Sequence, residues 1–112
     1  MIEATILTYL KSELDVPVYM EIPKNPEDKM VILEKTGSSR TNRVTQATIA
    51  LQSYGKSLYE AAELNEIVKQ AMDSIVQLDD IGGVRLNSDY NFTNTQTEKY
   101  RYQCVYVVTY VE

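Results

Sequence analysis

The sequence predicts an α+β fold, a mainly antiparallel sheet of about four to five strands with two helices packed on one face. Two segments carry apolar residues at helical spacing, and several others alternate apolar with polar residues as strands do. Two of the strand segments follow each other closely enough to form a hairpin. The 112 residues contain no Pro-, Gly- or Ser-rich stretch that would divide them, so residues 1–112 are expected to form one domain.

Ile2, Ile6, Leu7, Leu10 and Leu14 recur at helical spacing and predict a first helix over about 2–14, ended before Pro17. The β-rich stretch Val16 to Ile22 follows, restricted by Pro17 to an edge or a strand start, and Pro23 to Asp28 is a polar loop. Met30 to Thr36 reads as a strand, Gly37 to Asn42 as a flexible connection, and Arg43 to Tyr54 as the second strand of a hairpin. In that strand Ala47, Ile49 and Leu51 share one face, while Gln46, Thr48 and Gln52 make the other polar.

Ser57-Leu58-Tyr59-Glu60 fits a capping box, in which the serine hydroxyl satisfies a free amide of the first helical turn. It opens a second helix with Leu58, Ala61, Leu64, Val68, Ala71, Met72 and Ile75 at helical spacing, expected to end near Leu78 to Asp80. Gly82-Gly83 predicts a break before a strand from Val84 to about Asp89, and the polar stretch 88–98 reads as a mobile contact loop.

Lys99 to Val111 is the longest predicted strand. Tyr100, Tyr102, Cys104, Tyr106, Val108 and Tyr110 share one face; Arg101, Gln103, Val105, Val107, Thr109 and Val111 share the other. Two helices cover one side of a sheet, so Val105, Val107 and Val111 are expected to meet either another chain or an internal cover such as the first helix.

Composition narrows the function. A formal charge of -5 and a pI near 4.7 weigh against general nucleic-acid binding, which needs a basic face. The best local basic patch is the short run holding Arg40 and Arg43. With no histidine and one cysteine, the common zinc spacings, the Ser-His-Asp and Cys-His arrangements and an intrachain disulfide are all missing. Cys104, inside an apolar run, reads as a small buried hydrophobe and not as a nucleophile. No apolar run approaches the roughly 18 residues of a membrane span, and the start lacks a basic signal region, so a cytosol-like compartment is expected.

Gly55-Lys56-Ser57 looks like the end of a phosphate-binding loop, but that motif needs a glycine where this chain has Ala50, within a strand. Capping explains it better. Glu63 and Glu66 fit a solvated helix face and Asp79-Asp80 a turn. No catalytic, cofactor-binding or metal-ligating set emerges, and no cofactor is expected.

The segments Val18-Tyr19-Met20-Glu21-Ile22-Pro23, Val31-Ile32-Leu33-Glu34-Lys35-Thr36-Gly37, Leu58-Tyr59-Glu60-Ala61-Ala62-Glu63-Leu64-Asn65 and Tyr100-Arg101-Tyr102-Gln103 resemble small tail-completion proteins of prophages of Gram-positive bacteria. The resemblance runs through nearly the whole chain. It implies a structural virion protein, made in the host cytoplasm, whose subunits form a ring, commonly a hexamer. Such a ring caps the tail tube at its head-proximal end and joins the head connector, and DNA only passes through the hole. The implied partners are other copies of the chain, the tail-tube protein and neck proteins, with no membrane. The family's pattern carries no catalytic residues. The interface candidates come from the residue pattern: Arg40, Arg43, Gln46, Thr48, Gln52, Val105, Val107 and Val111. Another head-to-tail connector protein, or a small ligand-binding or enzymatic α+β domain, are the alternatives.

Overall fold

The computed structural model describes residues 1–111. The elements in order are α1 (Ile2–Glu13), β1 (Val18–Tyr19), β2 (Met30–Thr41), β3 (Val44–Gly55), α2 (Leu58–Asp73), a single 3-10 turn (Ile75–Gln77), β4 (Ile81–Asn91) and β5 (Tyr100–Val111). The strands form one five-stranded sheet in the order β1-β2-β3-β5-β4, antiparallel throughout except for the β1·β2 pair. Pro17 sets the start of β1, which spans two residues, and its carbonyl accepts the Val31 amide at 3.0 Å.

Both helices lie on one face. Ile2, Ile6, Tyr9 and Leu10 of α1 and Leu64, Val68 and Met72 of α2 join Val31, Leu33, Ile49, Leu51, Cys104, Tyr106 and Val108 in a single buried cluster. The register explains the grouping: Leu33 pairs with Leu51, Leu51 with Cys104 and Ile49 with Tyr106, so alternate residues of three strands present one apolar surface. The helices are tied together where the Tyr9 hydroxyl donates to the Ala71 carbonyl at 2.7 Å. Since α1 belongs to this cluster, it does not cover the opposite face.

Ser57 caps α2: its Oγ accepts the Glu60 amide at 3.1 Å. Removing the hydroxyl in Ser57→Ala is expected to cost about 1 kcal/mol in urea unfolding, because that amide loses its partner. The helix ends earlier than the pattern predicts, at Asp73, and the 3-10 turn carries the remaining apolar residues, with Ile75 buried.

Three loop expectations are corrected. Residues 37–41 are not a flexible connection but part of β2, paired Gly37↔Thr48 through Thr41↔Val44, and the hairpin closes on Asn42 and Arg43 alone. Both have positive φ, 52° and 70°, the backbone shape whose twist matches that of the flanking strands. Gly82-Gly83 is not a break either: it lies within β4, where an irregularity lets Ile81 pair with Tyr110 and Gly83 with Thr109. β4 also runs on to Asn91, so 88–91 are strand, and the remaining connection is tightened by an Asn94↔Lys99 bridge. In each case the strand residues are Gly, Ser, Asn, Asp, Thr or Arg for the most part, so the apolar-polar alternation that marks a strand is missing.

Candidate interaction face

The helix-free face of the sheet gathers six of the eight interface candidates. Gln46, Thr48 and Gln52 of β3 point to the same side as Val105, Val107 and Val111 of β5, with Thr48 directly opposite Val107 and Gln52 opposite Gln103. Arg43 stands in the hairpin turn. Arg40 pairs with Thr45 and so falls on the side of the helices. The sequence pattern thus placed one arginine with the face at its rim and the other behind it.

This face has two distinct ends. At the Gly55 end, Arg101 is held over the Phe92 ring at 4.5 Å and the Tyr54 ring at 5.7 Å, donating to the Tyr54 hydroxyl at 2.8 Å and the Phe92 carbonyl at 2.7 Å. Beside it the Gln52 amide donates to Gln103 Oε1 at 3.0 Å, Gln103 donates to the Tyr90 hydroxyl, and Met30, Ile32 and Tyr54 form a second small buried cluster. Gln52 is therefore engaged in a side-chain ladder. None of these partners was legible in the sequence, because a ladder depends on the register between β3, β5 and β4.

The Val44 end is open. Val107 lies between Thr48 and Arg85, and Val105 between Ala50 and Ser88; both valines are half-buried by these neighbours, whereas Val111 is 62% exposed and Val44 is 41% exposed. Gln46 donates to the Thr109 hydroxyl at 3.4 Å. Beside this patch the outer half of β2 and the hairpin turn form an exposed hairpin end: every residue from Glu34 to Val44 is exposed, while β3 stays paired to β5 as far as Val44↔Val111. The residues at this end are short aliphatics, hydroxyls and amides with Arg85 and Arg43 among them, suited to packing and hydrogen bonding.

Ionisable chemistry sits on the other side, under α2. Asp89 accepts from the Asn65 amide at 2.6 Å and from the Lys69 ammonium, which also meets Glu66 at 2.9 Å. These hydrogen bonds to carboxylates push the Lys69 pKa up. Tyr106 donates to the Lys69 carbonyl and Asp73, each at 3.3 Å, and burial above all raises its pKa. Cys104 is fully buried; burial first, and nearby Asp89 second, push its thiol up to about 12. The thiol stays protonated, as expected of a packing residue.

A stability trend follows. The unfolded chain releases the Cys104 proton near pH 9 and the folded chain only near 12, so folding loses stability as pH rises through that window. Lys69 acts in the same sense, since its raised pKa keeps the ion pair's contribution complete below the unfolded value of 10.5 and loses it above. Urea unfolding is expected to show stability falling steadily above pH 9, with a shallower fall in Cys104→Ala; an unchanged slope in that variant would remove the thiol from the explanation.

Among the described residues no group of three or more Cys, Asp or Glu side chains is placed to hold a metal ion, and no helix is long and apolar enough to cross a membrane. Compared with protein-family models and with curated proteins, the chain matches none.

Proposed function

We propose that the chain is a structural ring subunit of a long-tailed phage, capping the tail tube at its head-proximal end and joining it to the head connector. The observation that carries the assembly reading is the open end of the helix-free sheet face, with Val44, Val105, Val107 and Val111, beside an exposed hairpin end. An aliphatic patch rimmed by polar groups and flanked by a hairpin end is a surface built for a protein neighbour. The tail assignment draws on the sequence resemblance, which favours a ring around a passage for DNA. The chain's acidic balance suits it, because a channel wall of net negative charge does not hold the passing phosphate backbone.

Electron microscopy of the purified protein, alone and mixed with tail tubes, tests this. Rings that seat on one end of each tube and stop its growth are the expected result. Rings that bind head-connector assemblies but leave tube ends bare would move the protein elsewhere in the neck, and a persistent monomer that binds neither would end the proposal.

A further inference from the structure

The outer surface of α2 carries apolar side chains that the core does not use. Tyr59 is 76% exposed and Ile67 is 47% exposed, and with Glu63 between them they form a stripe at four-residue spacing. The helix is strongly acidic: Glu60, Glu63, Glu66 and Asp73 stand against the single base Lys69, which is already engaged by Glu66 and Asp89. The hairpin end is the opposite. Residues 36–46 include Arg40 and Arg43 and no acid, in a chain whose net charge is -5.

These two surfaces do not meet within one chain. The hairpin end lies at the Val44 end of β3, while α2 starts just after Gly55, and eleven residue steps of extended strand separate the two by about 36 Å. The sixteen residues of α2 run back over β3 for about 24 Å, so its last turn stops short of the level of Arg43 and Val44, and the stripe ends earlier still, at Ile67.

We infer that the hairpin end of one copy docks on the outer stripe of α2 of the next copy, with Arg43 set against Glu63 and its neighbouring carboxylates and Val44 against Ile67 and Tyr59. The occupant is another copy of this chain because charge is complementary across the two surfaces: a basic hairpin end with the exposed Val44 beside its turn, and an acidic helix with exposed apolar residues. The two patches differ and stand at opposite ends of the sheet, so the contact can pass head-to-tail from copy to copy, whereas a reciprocal exchange between two copies would close as a dimer and give no ladder. Head-to-tail contacts repeat around a ring, or along a filament if the rotation does not close. The inference rests on the ring reading and names the contact that would build it.

Cross-linking separates the possibilities. Cys104 is buried, so cysteines placed singly by Val44→Cys and Glu63→Cys are the only accessible thiols for a short bismaleimide. The expected result is linked dimers in a mixture of the two variants, little linkage of either alone, and a ladder of linked chains in the double variant. Linkage of Val44→Cys to itself would mean a two-fold contact between hairpin ends and would overturn the inference. Rings that form normally without mixed linkage would also overturn it while leaving the ring reading intact, whereas a wild-type chain that never assembles ends both. As a second measurement, Arg43→Glu is expected to raise the concentration for half-assembly about tenfold or more, and Glu63→Arg in the same chain to recover much of the loss. Failure of that recovery, with both variants folded, counts against the pairing.

Discussion

Replacing Val107 with aspartate is expected to leave a folded monomer with a near-normal melting temperature and to abolish assembly. The side chain lies on the helix-free face between Thr48 and Arg85, half-buried by its strand neighbours and outside the main core. In the free chain the new carboxylate keeps its access to water and faces Arg85 across the strand pair, so the cost is about that of losing a β-branched residue from a strand, ~1 kcal/mol. In an assembly that covers this patch the balance reverses. Even with Arg85 as partner, carrying the charge out of water costs several kcal/mol, and the cost recurs at every contact around a ring. Circular dichroism melting and sedimentation of the same sample check the two halves of the expectation. If Val107→Asp unfolds the isolated chain, the valine belongs to the core and the interface lies in the hairpin end and in the polar residues Gln46 and Thr48. If it folds and assembles like the parent, the patch is not an interface.

Gly55→Ala is expected to be the most damaging single-methyl change. A Cβ at Gly55 would stand 2.5 Å from the Ala61 amide nitrogen and 2.9 Å from the Glu60 carbonyl carbon, both backbone atoms of the first turn of α2. Neither can give way without lifting the start of the helix from the sheet, which would also disturb the Ser57 cap. A loss of about 1–3 kcal/mol is expected, at the upper end because the clash is with backbone. Urea unfolding beside Ser57→Ala gives the comparison: the glycine variant should lose clearly more. Equal losses would mean that α2 shifts freely at its start. The close approach also gives the Gly55-Lys56-Ser57 sequence a packing reason, with the glycine admitting the helix and the serine capping it, so no nucleotide is needed to account for it.

Residue order alone was enough for the part of the structure governed by neighbours along the chain. The helical spacing of Ile2, Ile6 and Leu10 and of Ala61, Leu64, Val68 and Met72 specified two helices with the right faces inward, and Ser57 marked the start of the second. Alternation in β5 separated Cys104, Tyr106 and Val108, which the helices cover, from Val105 and Val107, which they do not. Tertiary structure decided the rest. Whether 37–41 were loop or strand depended on pairing with β3, and a strand segment exposed at every residue has no apolar alternation to betray it. Gly82-Gly83 and Ser88 to Asn91 also depend on pairing, being held in β4 by the β5 ladder. The sealing of one end of the open face by Arg101, Tyr54 and Phe92, and the capture of Gln52 by Gln103, come from cross-strand register between residues up to 51 positions apart. Periodicity along a chain records which side of an element is buried; which strand stands beside it, and in what register, is settled only when the whole sheet closes around its core.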